Sequence, residues 1–399
     1  MRTLETQSIF SFEVLLIGGY CPEMHSFQTV ADIRIDPGGA AKLDYYVEGL
    51  SRNKRIAIVT DKGVKALGLM DAGIAALKDA GYAIFVFDKV VADPPEEIVL
   101  KGATAIRKFN AGLIIGFGGG SPMDTAKVIA HLCGSEQPLE SIYGVGNAKG
   151  PTLPLLLIPT TSGTGSEVTN VAIITTGKTA KKGVVADSLY ADRVLLDAEL
   201  TFGLPPSITA STGIDAMVHA IEAYTSIRLK NPLSDALALT ALRKMRNSIV
   251  TAVNDGNDIE ARNDMLIGAM LAGQAFSNAP CAAVHALAYP LGGFFHVPHG
   301  LSNALVLTEV MKYNQPKADH WYGEIAKDLG VGQTGTDLID EMLRLKEETR
   351  VPKTLTEVNI PQDAIPMMAE DAMTKDRLLM NNAREMTYDA TVKIYETIL

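Results

Sequence analysis

Between Arg55 and Thr161 short β-branched runs alternate with helical stretches, and this alternation restricts the fold more than any other feature of the chain. "RIAIVTD" (55–61) reads as a strand ending in a polar loop. "GVKALGLMDAGIAALKDAG" (63–81) has helical spacing and closes on Gly81, a C-cap residue. "YAIFVFD" (82–88) is the next strand, and "DPPEEIVLKGATAIRKFNAG" (93–112) the next helix, opened by Asp and Pro and closed near Gly112. "LIIGFGGG" (113–120) runs into a glycine loop. "SPMDTAKVIAHLC" (121–133) then starts a helix with Ser121 as cap and Pro122 at its first position. "PLLLIPTT" (154–161) is another buried strand. Strands that are apolar on both sides and separated by helices predict a parallel sheet covered on both faces.

After Leu204 the pattern changes. "SDALALTALRKMRNSIVTAV" (234–253) and "ARNDMLIGAMLAGQAFSNA" (261–279) are long and helical, with breaks at "DGND" and "NAPC". The expected organisation is an N-terminal extension (1–25), an α/β dinucleotide-binding domain (26–204) and an all-α metal and substrate domain (205–399), divided at "LPP" (204–206). The extension's one apolar run, "FEVLLIGGY" (12–20), is long enough for a short edge strand. With 399 residues and 47% hydrophobic content, two cores are affordable.

A formal net charge of −10 argues against nucleic acid, whose phosphates demand a basic face. No apolar run reaches membrane-spanning length, and no clean signal core follows Arg2. Three cysteines in unrelated contexts make neither a disulfide framework nor a metal knuckle. Together these predict a soluble, cytoplasmic protein.

"GFGGGSPMDTAK" (116–127) places a strand, a glycine loop and a helix start in succession. Free N–H groups at the helix start and bare backbone suit a phosphate. Neither the Rossmann fingerprint nor the P-loop fits: Ser121 stands where the former needs its last glycine, and no Gly-Lys-Ser/Thr follows. A tight structural turn is the competing reading. "PTTSGTGSEVT" (159–169), a second polar loop at a strand end, favours the ligand. Asp61 ends the strand 55–61, where a carboxylate can accept from ribose hydroxyls and repel a 2′-phosphate.

"GIDAMVHAIEAY" (213–224) puts Asp215 and His219 four apart, on one helix face. "AVHALAYPLGGFFHVPHG" (283–300) supplies His285 and His299 around a Gly/Pro turn. A carboxylate and three imidazoles suit a divalent first-row metal. His296 is either a ligand or a substrate-pocket residue.

These motifs, with "TDKG" (60–63), resemble the iron-containing (group III) alcohol dehydrogenase family, which shares its fold with glycerol dehydrogenase and dehydroquinate synthase. The resemblance covers roughly residues 26 to 399. It implies a metal site of Asp215, His219, His285 and His299. It implies cofactor contacts from Gly118, Gly119, Gly120, Ser121 and Asp124, from Thr160, Thr161 and Ser162, and from Lys182 or its neighbour Lys181. Asp61 matches the adenosine-ribose acid of NAD-preferring members. Where many members carry a further histidine this chain has Tyr289, which with His296 is a candidate catalytic residue. The family's "NPR" reads "NAR" (382–384) here.

The activity implied is hydride transfer between a small alcohol or aldehyde and NAD(H). The metal is expected to be Fe²⁺, with Zn²⁺ or Mn²⁺ compatible, and the assembly a homodimer. Apolar residues near the histidines (Phe276, Phe294, Phe295, Val297) suggest an uncharged or weakly polar substrate. A metal-dependent lyase of the dehydroquinate synthase kind is the alternative enzyme, but it needs a basic cluster that the motifs lack. A non-enzymatic nucleotide-binding regulator would not need the Asp/His set.

Overall fold

A computed structural model describes residues 26–177 and 180–399. The extension expected over 1–25 lies outside the described residues. The strands are β1 (Ile33–Ile35), β2 (Arg55–Asp61), β3 (Ala83–Val90), β4 (Leu113–Gly118), β5 (Gly144–Val145), β6 (Leu155–Pro159), β7 (Val171–Thr176), β8 (Ala180–Val185) and β9 (Arg193–Leu196). Six form one parallel sheet in the order β1-β9-β6-β4-β2-β3. Helices α1 (Leu43–Val47), α2 (Lys62–Ala66), α3 (Asp71–Asp79), α4 (Glu96–Phe109), α5 (Gly120–Gly134) and α6 (Leu139–Ile142) accompany them.

Two cores follow from the period-2 geometry of the strands. In β2, Ala57 and Val59 face one core while Ile56 and Ile58 face the other; in β6, Leu155 and Leu157 oppose Leu156 and Ile158. Continuous apolar runs are therefore required, because both faces of each central strand are covered. Truncating such a residue, Ile115→Ala for instance, removes about 2–5 kcal/mol of stability.

The second half is helical: α7 (Pro206–Thr225), α8 (Pro232–Asn254), α9 (Ile259–Asn278), α10 (Ala283–Phe295), α11 (His299–Asp328), α12 (Gly335–Glu348), α13 (Ile365–Met373), α14 (Asp376–Leu379) and α15 (Tyr388–Thr397). Helix α7 is buried almost all round and forms its axis. The breaks at "DGND" and "NAPC" separate α8 from α9 and α9 from α10. No helix among the described residues is long and apolar enough to cross a membrane.

The structure departs from the local reading in three places. The helix expected over 63–81 is two, α2 and α3, parted by a turn in which Gly68 takes φ +69°. Helix α5 begins at Gly120 with Gly119 as its N-cap, so Ser121 and Pro122 lie inside its first turn. The cap falls two residues earlier than the expected serine cap, because Gly118 adopts φ +148°, a conformation that L side chains rarely take. A Cβ there would also stand 2.7 Å from Pro122. The third departure is a hairpin, β7–β8, joined by β5 into a small second sheet that the sequence reading did not contain. It is stitched to the loop before α4 by Thr175, whose N–H donates to Pro94 and whose hydroxyl donates to Asp93.

The polar loop 159–169 joins the two halves. Gly165, with φ +58°, lies so close to Gly273 of α9 that a Cβ on it would stand 2.5 Å from the Gly273 Cα. Only glycine at both positions allows this approach.

Candidate metal and cofactor site

A cavity of about 620 Å³ opens between the halves. One wall is the start of α5 (Gly120, Ser121) with the loop residues Thr164 and Ser166; the other carries His219, His285, Tyr289 and His299.

Asp215 and His219 share the inner face of α7, His285 lies in the first turn of α10, and His299 starts α11. Their ligand atoms all lie within 4.8 Å of one another. His219 stacks between Phe276 and His285, with ring centroids 4.4 and 4.7 Å away. A cation fits this set on three grounds. Three of its atoms aim at one point, marked by Nδ2 of Asn303: Asp215 Oδ1 is 2.6 Å from it, His285 Nε2 3.2 Å and His299 Nε2 3.3 Å. His219 has a buried ring nitrogen, Nδ1, with no hydrogen-bond partner. Burial also pushes His219 down to about 3 and His299 down to about 4, so both rings are neutral, the state a metal ligand needs. Asp215 stays ionised. Burial raises its pKa, but the neighbouring His285 and the hydrogen bond from the Asn303 amide are among the groups that outweigh it and hold it low.

Glu222 completes the arrangement. Its Oε1 accepts from the Val284 N–H at 2.7 Å and its Oε2 from His285 Nδ1 at 2.6 Å. Burial alone would lower the His285 pKa, but Cys281 and Glu222 hold it well above its usual value; with Nδ1 engaged by the carboxylate, Nε2, toward Asp215, is the nitrogen that would ligate a cation in place of its proton. The sequence reading missed Glu222, although the spacing Asp215, His219, Glu222 repeats one helix face. Asn303, four residues after His299, was legible in the same way.

The residues expected to contact the cofactor gather at neighbouring strand ends. Asp61 ends β2, Gly118 ends β4 and Thr160 follows β6; the three strands are adjacent. Asp61 caps α2 by accepting from the Val64 N–H at 2.9 Å, which leaves its other oxygen beside Gly118. The Thr160 N–H donates to the Gly118 carbonyl at 3.0 Å, and a Cβ on Gly119 would lie 3.4 Å from the Thr161 hydroxyl. Ser162 is buried behind Thr161. Thr164, which the reading omitted, faces Gly120.

Three expected site residues are placed differently. Asp124 lines the cavity, but its carboxylate is occupied by the Ser166 hydroxyl at 2.5 Å and the Ile173 N–H at 2.9 Å; it pins the second loop. Lys127 helps it. Fully buried, Lys127 donates to Ser166, Thr169 and the Val171 carbonyl, and burial lowers it to about 8. Lys182 turns away from the cavity toward the Tyr143 ring, whereas Lys181 lines the cavity and pairs with Asp93 at 2.7 Å. Adjacent residues of β8 point to opposite faces, so only one of the two can reach the site. His296 is an exposed residue with φ +56° that ends α10; it lines no part of the cavity.

Tyr289 does line the cavity, its ring 6.2 Å from that of His299, and burial raises its pKa, so it remains a phenol. Of the apolar residues expected at the site only Phe276 lines it; Phe294 is exposed, and Val297 is buried in the helical core. The cavity instead receives Lys181, Arg228 and Arg377 from outside the motifs, so its walls carry the basic residues that the sequence reading found lacking.

A parallel α/β half with a glycine loop at a helix start, facing a buried Asp/His₃ cluster on a helical half, defines a metal-dependent oxidoreductase architecture. Comparison with known proteins agrees. Residues 31–198 match the family described as "Iron-containing alcohol dehydrogenase", and residues 209–399 match "Fe-containing alcohol dehydrogenase family, C-terminal". The chain belongs to the iron-containing alcohol dehydrogenase family. It is 39% identical over 370 residues to long-chain-alcohol dehydrogenase 1 of Geobacillus thermodenitrificans, covering 90% of this chain and 93% of that one. It is 37% identical over 345 residues to alcohol dehydrogenase 4 of Saccharomyces cerevisiae (strain ATCC 204508 / S288c), covering 86% and 90%. Among solved structures, a 1,3-propanediol oxidoreductase superposes with a TM-score of 0.90 at 31% identity over 94% of this chain and 100% of that one. A sulfoacetaldehyde reductase from Bifidobacterium kashiwanohense, in complex with NAD⁺, gives 0.84 at 28% identity, covering 94% and 99%.

Proposed function

We propose that this alcohol dehydrogenase uses NAD(H) and Fe²⁺ to interconvert a small alcohol and its aldehyde, Zn²⁺ and Mn²⁺ being compatible with the same ligands. The observation that carries this reading is the convergence of Asp215, His219, His285 and His299 in a cavity whose opposite wall is the start of α5. When bound, the cation polarises the substrate oxygen and the nicotinamide exchanges the hydride. A set of nitrogen and oxygen donors without thiolate suits all three metals, and the family favours iron.

The chain's own residues do the rest. Asp215 supplies the anionic ligand, and Glu222 orients His285. The bare backbone of Gly119 and Gly120 receives the pyrophosphate at the start of α5. Asp61 accepts from the adenosine ribose. Phe276 and the closely packed loop 159–169 exclude water, which strengthens every charge interaction in the cleft. Tyr289, whose ring lies 6.2 Å from that of His299 in the same cavity, holds a proton at Oη and is the candidate to exchange it with substrate. The NAD⁺ complex of a relative supports the choice of cofactor. Relatives are named for long-chain alcohols, 1,3-propanediol and sulfoacetaldehyde. A homodimer and a cytoplasmic location belong to the same reading; the open sheet edge at β1, with Ile35 exposed, offers one surface for pairing.

The test is metal-stripped protein reloaded with Fe²⁺, Zn²⁺ or Mn²⁺ and assayed by NADH absorbance with simple alcohols and aldehydes. Turnover should return with metal, and His299→Ala should lose bound metal and turnover together. Full metal content and a near-normal rate in that variant would remove the ligand assignment.

A further inference from the structure

Two arginines stand at the mouth of the cavity with nothing to bind. Among the described residues, ten of the arginines donate to a carboxylate, a hydroxyl or a carbonyl. Three have no hydrogen-bond or ion-pair partner for the guanidinium: Arg228, Arg350 and Arg377. Two of these three, Arg228 and Arg377, line the one cavity that holds the candidate metal site.

From this we infer that the mouth of the cavity is a subsite for an anionic group on the substrate, so that the preferred alcohol or aldehyde carries a carboxylate, sulfonate or phosphonate at the end remote from the reacting carbon. The inference rests on the alcohol dehydrogenase reading above and names its substrate class.

The two arginines come from different segments, yet one residue ties them together. Arg228 lies in the turn after α7, the helix that bears Asp215 and His219. Arg377 lies in α14. The Ile227 N–H donates to the Asn381 carbonyl at 3.0 Å. The Asn381 side chain donates to the Arg377 carbonyl at 2.9 Å and to the Cys281 carbonyl at 2.8 Å, four residues before His285. Both arginines are thus held in register with the metal ligands. The turn is also strained: Leu229, a bulky residue, takes φ +57°. It is held by the Ser226 hydroxyl, which donates to the Arg228 carbonyl at 3.0 Å, and by the Asn231 amide, which donates to the Leu229 carbonyl at 2.9 Å.

The charges do not cancel within the cavity. Its acids are already engaged, Asp93 by Lys181 and Asp124 by Ser166 and Ile173. The guanidinium of Arg377 also acts on the Tyr289 phenol, pulling its pKa down against the burial that raises it. The same cavity is lined by Leu378, Met380 and Val145, apolar residues suited to a short carbon spacer. A guanidinium matches an oxyanion with paired N–H donors, and a cationic mouth on a chain of net charge −10 gathers such substrates selectively.

The experiment compares a semialdehyde ending in a carboxylate with the isosteric aldehyde ending in an amide, both with NADH and metal-loaded protein. The wild type should favour the carboxylate in kcat/KM by about tenfold or more, through KM. Arg377→Gln and Arg228→Gln should each lower that ratio several-fold; both residues are exposed, so the fold is not at stake. Arg350→Gln, which removes the third unpaired arginine away from the cavity, should leave the ratio unchanged. An unaltered ratio in both cavity variants, or a rise in the KM for NADH in its place, overturns the anion subsite while turnover of the amide still upholds the dehydrogenase reading. Turnover of neither aldehyde defeats that reading. Calorimetric binding of the matching hydroxy acid to the same variants then judges the subsite separately: equal affinity in wild type and Arg377→Gln rejects it.

Discussion

The Glu222 carboxylate and His285 Nδ1 stand 2.6 Å apart, both buried, and this contact decides which nitrogen of His285 faces Asp215. Glu222→Gln keeps the shape but makes the acceptor neutral and weakens the control of the tautomer. Metal affinity should fall about 10–100-fold, with turnover recovering at saturating metal. Isothermal titration with Zn²⁺ reads the affinity, and an unchanged value would make Glu222 a packing residue.

Cofactor choice turns on Asp61, which lies at the end of β2 with an oxygen beside Gly118. A carboxylate there repels a ribose 2′-phosphate. The wild type should prefer NAD over NADP by about tenfold or more, equivalent to ~1.4 kcal/mol. Asp61→Gly should narrow or reverse the preference. A wild type that favours NADP would end this assignment.

Lys181 and Lys182 separate cleanly. Lys181→Ala removes a cation from the cavity wall and frees Asp93, so kcat/KM should fall about tenfold. Lys182→Ala touches only the Tyr143 face and should stay within about twofold of wild type. Steady-state kinetics on the pair suffices, and the opposite order would show that β8 presents its other face.

Tyr289→Phe removes the one phenol beside His299 and leaves the metal ligands in place. Bound metal and NAD affinity should be retained, kcat should fall about tenfold or more, and the pH profile of kcat should change. If rate and profile are both preserved, the tyrosine only packs.

Stability should also respond to pH through Glu167, a buried residue of the second polar loop. Burial pushes its carboxyl up to about 7, against a usual value of 4.5. The folded protein keeps this proton over a range in which the unfolded chain has released it. The contribution is therefore complete below about 4.5 and is lost as pH rises through about 7, amounting to roughly 1–3 kcal/mol. Thermal unfolding of Glu167→Gln should show a shallower decline over that window. Asp124, raised by burial in the same sense, accounts for what slope persists. Identical pH dependence in wild type and variant would contradict the assignment.

Local sequence determined whatever depends on neighbours a few residues apart. Short continuous apolar, β-branched runs specified strands β2, β3, β4 and β6, and the i, i+4 spacing of Asp215 and His219 set them on one face of α7. The glycines at 118–120 marked the turn from β4 into α5, where a strand end needs bare backbone. Tertiary structure decided the rest. The hairpin β7–β8 was hidden because its residues are half exposed and its partners, Pro94 and the α5 side chains Asp124 and Lys127, lie far away in the chain. Which lysine of β8 enters the cavity follows from the register of that hairpin. His296 and His299 look alike in sequence, yet the φ of +56° that ends α10 leaves one exposed and starts the other on α11 toward Asp215. Arg228 and Arg377 carry no local signature. Only the closure of α14 onto the turn after α7, through Asn381, brings them to the same mouth, and a contact across some 150 residues leaves no periodicity to read.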